Sequence, residues 1–254
     1  MRRPLLNLYV ASATWAAARP GDTHDPIGGE YDPNASGGAE WTRIAQALSA
    51  HSGAIGPVRI VLSARLCRFL VAPWVADCFT GPSIRASVLA MFESQGVTDA
   101  SHRVEIDWPA YGQPVPAVAY PRSLVDMVRT ALEASGGTIV STVASVVPVL
   151  RRHGRALEAL PGALLAYAED DGITGITLES GSLVQVEALA SCGAGLGDVG
   201  LWLSRKRFAF ADDGALHWLW LGSSPAPEAF AGRLLALEGD ALATPGRALV
   251  AACA

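Results

Sequence analysis

The run Asp170-Asp171-Gly172 contains the residues of this sequence that are best suited to binding or catalysis. It separates two apolar segments within residues 163–190. Backbone N–H groups freed by a glycine let a loop wrap a phosphate, so this turn is a candidate for phosphate binding. Asp-Gly is also the commonest solution for a tight hairpin between two strands. Because the start of the chain offers no matching glycine turn, the pattern favours a hairpin of the mirror-image type, which needs a positive φ at Gly172.

A second glycine pattern, GLGDVG, begins at Gly195 and fits the spacing of a dinucleotide-binding fingerprint between a strand and a helix. The strand before it belongs to a meander, however, and no carboxylate about 20 residues further on is placed to hold a ribose. The pattern therefore predicts a glycine turn that opens a helix.

Other recognisable catalytic patterns are missing from the sequence. There is no G-x-S-x-G elbow, no H-E-x-x-H helix and no C-x-x-C pair, and the five histidines are scattered. No metal site is predicted, and the four cysteines are expected to be free thiols in a reducing cytoplasm. An α/β enzyme of unknown chemistry remains an alternative function.

Composition restricts the partners that this chain can have. It has 254 residues, of which 50% are hydrophobic and 17% charged, and its net charge is -5, so we expect a globular protein. No basic stripe with interleaved aromatic residues is present, which argues against nucleic acid. The longest apolar stretch, residues 138–150, is shorter than the roughly 20 residues of a membrane-spanning helix. A membrane role therefore requires a partner.

Hydrophobic periodicity and turn residues predict the elements of the first half. They are a strand at 5–13, a long mobile loop at 19–40, a helix with Trp41, Ile44 and Leu48 on one face, a hairpin at 58–74 that turns around Ser63 to Arg65, a helix opened by Pro82, strands near 102–108 and 115–120, a helix from Pro121 to a left-handed cap at Gly136, a further strand, and a short helix.

The second half is predicted to begin with a three-stranded meander at 163–190. A helix at 196–208, a strand at 215–222, a helix from Ser224 carrying Phe230, Leu234 and Leu237, and a last strand at 247–254 follow. Three antiparallel strands followed by helix, strand, helix and strand are the order of a ribonuclease H-like unit. The first half spans residues 1–155 and contains an insertion at about 58–120, and the second half spans residues 156–254. Two such halves predict an actin-like α/β fold with a central cleft.

The order of elements across residues 58–222 resembles that of the actin-like components of bacterial inner-membrane assembly platforms. These are the PilM-type proteins of type IV pili and the cytoplasmic domain of GspL-type proteins of type II secretion. The resemblance implies a non-catalytic cytoplasmic adaptor, held at the inner membrane by a partner. An actin-like ATP-binding protein or ATPase is the alternative within the same fold.

In such families three glycine-containing turns hold the nucleotide, and the sequence keeps them only in part. The first turn, expected in the segment LYVASATWAAARPGD, lacks both the aspartate and the glycine at the end of the first strand. Asp170 and Gly172 match the second turn, Gly222 is followed by Ser223 where the third has another glycine, and Gly195 marks the turn before a helix. The resemblance therefore implies a degenerate nucleotide site without a cofactor, with weak ATP binding left open.

The same resemblance implies the partners. PilM-type proteins grip the cytoplasmic tail of a single-span (bitopic) membrane protein, and the GspL-type domain contacts the secretion ATPase. We expect this chain to act as a separate subunit that binds such a tail in the cleft between the insertion and the body. Its net negative charge favours a basic tail.

Overall fold

The structure is a computed structural model that describes residues 4–19, 26–35, 38–75, 80–158, 160, 162–190, 201–202, 205–206, 216–221 and 233–235. For residues 52, 155, 156, 158, 190, 216–221 and 233–235 it describes the backbone alone. These parts of the chain form three β-sheets and four α-helices.

The strands and helices have the following bounds. The strands are β1 (Leu6–Val10), β2 (Thr14–Ala18), β3 (Ile27–Glu30), β4 (Gly56–Leu62), β5 (Arg68–Ala72), β6 (His102–Ile106), β7 (Val115–Pro121), β8 (Gly137–Ala144), β9 (Gly162–Glu169), β10 (Gly172–Glu179), β11 (Ser182–Ala190), β12 (Leu216–Leu221) and β13 (Arg233–Leu235). The helices are α1 (Ala39–Ser52), α2 (Gly81–Glu93), α3 (Arg122–Ala134) and α4 (Val146–Glu158), and a 3₁₀ helix spans Ala64–Leu66.

The first sheet has the strand order β3-β2-β1-β4-β8. Its first three strands are antiparallel neighbours, and β4 and β8 are added parallel to β1. Strand β3 lies within residues 19–40, where the sequence predicted a loop, so that prediction is wrong for these residues. Gly28 has low strand propensity but is required there, because a Cβ at this position would lie 2.5 Å from the Trp15 carbonyl oxygen.

The insertion sheet has the order β5-β7-β6, and all its pairs are antiparallel. The predicted hairpin at 58–74 is wrong, because β4 and β5 belong to different sheets. Ser63 ends the first of these strands and caps the 3₁₀ helix by accepting a hydrogen bond from the Arg65 N–H, which redirects the chain. Helix α2 covers one face of the insertion sheet and buries Val88 and Phe92 there.

The second sheet has the order β11-β10-β9-β12-β13. The predicted meander is confirmed, and β12 and β13 are added parallel to β9. Residues 233–235 form a strand where the sequence predicted a helix, because pairing with β12 overrides helical spacing of apolar residues. Leu201, Trp202, Arg205 and Lys206 are helical as predicted, and the last predicted strand at 247–254 lies outside the described residues.

The two five-stranded sheets share one strand order, with a meander of three strands followed by two parallel additions beside its first strand. One apolar core lies between the first sheet and helices α1 and α3, and includes Trp41, Ile44 and Leu48 as predicted. Another joins the two sheets through Tyr9, Val61, Leu165 and Tyr167. The arrangement is the predicted α/β fold of two similar halves with an insertion, and the division near residue 156 stays a prediction.

Three helix signals in the sequence are confirmed. Thr80 and Ser83 form a capping box at the start of α2, with Pro82 in its first turn. Pro121 precedes α3, and Gly136 follows its end with a φ of 80°. No helix in the described parts of the chain has the length and apolar character needed to cross a bilayer.

Candidate functional site

The turn between β9 and β10 consists of Asp170 and Asp171, with Glu169 paired directly to Gly172. None of these residues has a positive φ among the described backbone, so the mirror-image turn predicted at Gly172 is wrong. The mirror-image geometry occurs at the next turn, where Ser180 and Gly181 have φ angles of 49° and 78°. The two aspartates of the first turn instead direct their side chains at the first sheet.

Asp171 fastens the second sheet to the first. Its Oδ2 accepts hydrogen bonds from the Ser12 backbone N–H at 2.9 Å and the Ser12 hydroxyl at 2.7 Å, and its Oδ1 accepts one from the Ser63 hydroxyl at 2.7 Å. Ser12 lies in the turn between β1 and β2, and Ser63 follows β4. We call Asp171, Ser12 and Ser63 the latch. Hydrogen bonds to a carboxylate are stronger than neutral ones, and this side chain is buried.

The residues beside the latch extend the contact. The Thr14 hydroxyl donates to Asp170 Oδ2 at 2.8 Å, and the Arg65 guanidinium donates to the backbone carbonyl of Asp171 at 3.1 Å. Thus the ends of β1, β2 and β4 all contact one turn of the second sheet. The Arg65 charge is directed at the backbone of the turn, and the Asp171 carboxylate accepts from hydroxyl and N–H donors.

Glu169 is the most deeply buried carboxylate of this region, with 5% of its surface exposed. The Ala64 N–H donates to it at 3.1 Å, the Tyr9 hydroxyl at 3.3 Å, and the Thr174 hydroxyl also donates to it. Burial raises the pKa of Glu169 to about 7, and the negative charge of Asp171 adds to the rise while the Thr174 bond opposes it. Burial and Glu169 likewise raise the pKa of Tyr9, which keeps that hydroxyl a neutral donor.

The chemical capacity of this cluster is limited. Three consecutive carboxylates, Glu169 to Asp171, make this turn acidic, whereas phosphate groups are held by positive charge or free N–H groups. Within the described ranges no group of three or more histidine, cysteine or acidic side chains suits a metal ion. The structure thus places Asp170 and Gly172 at an inter-sheet contact, whereas the candidates Gly195 and Gly222 lie outside the described residues.

The sequence did not single out Ser12, Ser63, Glu169 or Tyr9 for this site. The only signal available was that a serine follows each strand closely, since Ser12 lies two residues after β1 and Ser63 directly after β4. Because parallel neighbours end at the same edge of a sheet, those two hydroxyls were bound to lie close together once the strands were paired.

A groove of about 380 Å³ lies between the insertion sheet, α4 and β11. We call it the apolar groove, since Val118, Val143, Val147, Leu150 and Val186 supply much of its wall. Charged side chains line it as well, namely Glu105, Asp107 and Arg151. It lies where the sequence predicted a cleft between the insertion and the body, and it also contacts the second sheet through β11.

No family model and no curated protein matches this chain. Among solved structures, it is similar to the PilM-PilN type IV pilus biogenesis complex, with a TM-score of 0.72, 14% identity, and coverage of 100% of this chain and 98% of that one. The cytoplasmic domain of EpsL, an inner membrane component of the type II secretion system of Vibrio cholerae, gives a TM-score of 0.59 at 14% identity, with coverage of 98% and 94%.

A Bacteroides thetaiotaomicron protein of unknown function with an actin-like ATPase fold gives a TM-score of 0.56 at 10% identity, with coverage of 87% of this chain and 82% of that one. At such identities the likeness establishes the fold. The predicted resemblance to PilM and to the type II secretion domain is confirmed at that level, and the chain therefore has an actin-like fold.

Proposed function

We propose that this chain is a non-catalytic adaptor of a type IV pilus or type II secretion assembly platform. In this proposal it works without bound nucleotide and docks the cytoplasmic tail of a single-span membrane protein in the apolar groove. The observation that carries the first part is the latch, in which two turns of an actin-like fold bind each other directly.

The latch opposes nucleotide binding for reasons of charge and of lost contacts. Phosphates held between the β1–β2 and β9–β10 turns would displace three hydrogen bonds to Asp171. Bonds to a charged group contribute about 1.5–3 kcal/mol each, so their loss would cost several kcal/mol. The phosphates would also meet the negative charge of the Asp171 carboxylate, while the nearby Arg65 guanidinium already donates to the Asp171 backbone carbonyl. The cluster is better suited to holding two halves together than to hydrolysis.

The apolar groove suits an extended segment. It follows β7 from Pro116 to Tyr120, a distance of about 13 Å at ~3.3 Å per residue, which matches about four extended residues of a ligand. Strand β6 is an edge strand of the insertion sheet in the described part of the chain, and its residues Glu105 and Ile106 line the groove. A bound tail would gain affinity from main-chain contacts there and specificity from the apolar wall.

Charge supports a basic tail. The groove contains two carboxylates and one guanidinium, and the whole chain carries a net charge of -5. Positively charged residues are common where a tail meets the cytoplasmic face of a membrane. Such a tail would bring the chain to the inner membrane as a peripheral protein, and a secretion ATPase is the second partner in this proposal. Salt should weaken the electrostatic part of this attraction.

Cell fractionation tests the proposal when this chain is expressed with and without a single-span membrane protein of a type IV pilus or type II secretion platform. The chain should be found with membranes only when that partner is present, and a synthetic peptide of the partner's N-terminal tail should release it. Val147→Asp places a charge in the groove and should abolish recruitment. The matched control is Val140→Asp, because Val140 is 59% exposed and lies outside the groove lining.

Two results would contradict the proposal. One is membrane association of the wild-type chain without any partner. The other is recruitment of Val147→Asp to the same extent as Val140→Asp, which would exclude the apolar groove as the docking site.

A further inference from the structure

The apolar groove continues into a second concavity of about 410 Å³, which we call the groove extension. The two concavities share Asp107, Pro116, Leu150 and Leu183 as lining residues, so they form one continuous channel. The extension lies between the loop that follows β6, the second half of α4, and the turn between β10 and β11.

One stripe of α4 lines the whole channel. Val147 and Leu150 line the apolar groove, and Leu150, Gly154 and Leu157 line the extension. These positions recur every three or four residues and so lie on one helical face. From Val147 to Leu157 the stripe is about 15 Å long at ~1.5 Å per residue, which matches four to five extended residues of a ligand.

Gly154 leaves this face bare. A Cβ built at this position has no described atom within 4 Å apart from its chain neighbours and the backbone of its own helix, although the residue lies in the helix interior. Glycine is a poor helix former, and its presence in a helix interior needs another reason. Room for an occupant that passes over the helix is such a reason.

The opposite wall comes from both halves of the molecule. Leu178 and Leu183 belong to the second sheet, and Gln113 belongs to the loop of the insertion. The Ser182 hydroxyl donates to Gln113 Oε1 at 3.4 Å, which links the two across the extension. A segment bound here would therefore contact the insertion and the second sheet together.

Asp107 marks the junction of the two concavities. Its backbone N–H donates to the Pro116 carbonyl at 2.9 Å, which fixes its place at the end of β6. Glu105 is paired with Arg103 at 3.0 Å, whereas the Asp107 carboxylate has no ion-pair partner in the described ranges. It is thus the available negative charge at the midpoint of the channel.

Resting on the proposed docking function, we propose that the bound tail runs through both concavities and presents a lysine or arginine to Asp107. Apolar side chains on one side of that basic residue pack against Val147 and Leu150, and those on the other side pack over Gly154. The tail is then recognised by a basic residue between two apolar groups, and each complex contacts both halves of the fold.

The test uses peptides selected on the full chain from a phage-displayed library of random sequences. A selected peptide that Val147→Asp no longer binds is synthesised with a fluorophore, both complete and truncated after its basic residue, and its affinity is measured by fluorescence anisotropy. Gly154→Leu fills the extension and should lower the affinity of the complete peptide at least about tenfold, a typical loss for blocking a buried apolar contact. It should change the affinity of the truncated peptide less than twofold.

Gly154→Ala is the matched control, since it adds one methyl group and should leave both affinities within about twofold. Neither variant should lower the melting temperature, because alanine and leucine are better helix formers than glycine. Asp107→Lys should lower the affinity for the peptide about fivefold at low salt, as expected for the loss of an exposed ion pair. The same variant should restore binding of a peptide whose basic residue is replaced by glutamate.

The outcomes separate the two proposals. If Val147→Asp abolishes binding but Gly154→Leu leaves the complete peptide unaffected, the tail does not use the extension and the inference is wrong while the docking function stands. If the charge exchange at Asp107 has no effect, the proposed basic residue is wrong. If no selected peptide is sensitive to Val147→Asp, both the inference and the docking function are contradicted.

Discussion

Replacing Glu169 with glutamine should remove a pH dependence of stability that the fold imposes. The pKa of this carboxyl is raised from 4.5 to about 7, chiefly because burial disfavours the charged form. A raised pKa means that the native state binds the proton more tightly than the unfolded chain does. The stability that protonated Glu169 contributes is therefore complete below about pH 4.5 and is lost as the pH rises through about 7.

The magnitude follows from the shift. A difference of roughly 2.5 in pKa corresponds to about 3 kcal/mol, since one pKa unit is 1.36 kcal/mol. Glu169→Gln keeps an oxygen that accepts from the Ala64 N–H but carries no charge to be buried. At pH 8 the variant should be about 2–3 kcal/mol more stable than the wild type, and at pH 5 the two should agree within about 1 kcal/mol.

Urea unfolding followed by tryptophan fluorescence at pH 5, 6, 7 and 8 measures this difference. Glu179→Gln is the matched control, because that carboxyl is exposed on the neighbouring strand β10. Its free energy of unfolding plotted against pH should run parallel to that of the wild type. If the free energy of unfolding of Glu169→Gln runs parallel to that of the wild type across this pH range, or if the variant is less stable at pH 8, the claim that burying the Glu169 charge costs about 3 kcal/mol is refuted.

The same unfolding assay checks the other packing claims. Asp171→Ala should cost about 3 kcal/mol because it leaves the latch hydroxyls without their acceptor, and an unchanged urea midpoint would show that the latch contributes nothing. Gly28→Ala should cost about 1–3 kcal/mol because its Cβ would lie 2.5 Å from the Trp15 carbonyl oxygen, and wild-type stability would contradict that clash. Gly181→Ala should cost about 1 kcal/mol because its φ is 78°, and a stabilised variant would argue against this turn geometry.

Elements that depend on local pattern could be predicted from the sequence. Helix α1 shows its buried face as Trp41, Ile44 and Leu48, and α3 ends at a glycine with the expected left-handed backbone. The meander of the second half is indicated in the sequence by three apolar runs separated by two short turns. In each case the signal lies within a few residues, and tertiary contacts agree with it.

Elements that depend on distant partners could not be predicted. Strand β3 carries two glycines and becomes a strand only because β2 is present to pair with it. The step from β4 to β5 resembles a hairpin in sequence, yet each strand pairs with a different sheet. Phe230, Leu234 and Leu237 have helical spacing in the sequence, but residues 233–235 pair with β12. Sheet registration of this kind is decided by the whole fold.

The candidate site shows the same division. The turn at Asp170 and Asp171 was recognisable from its residue types, but its interpretation required the partners of Asp171, which lie 159 and 108 positions away in the chain. Serine is too common at strand ends to predict such a contact. The carboxylate latch was therefore visible only in three dimensions.

A calorimetric titration of Mg-ATP into the full chain tests the central claim most directly, since the proposed adaptor works without bound nucleotide. We predict heats of dilution only, without saturation. A saturable isotherm with a dissociation constant in the low micromolar range, equivalent to about 8 kcal/mol of binding free energy, would contradict the account.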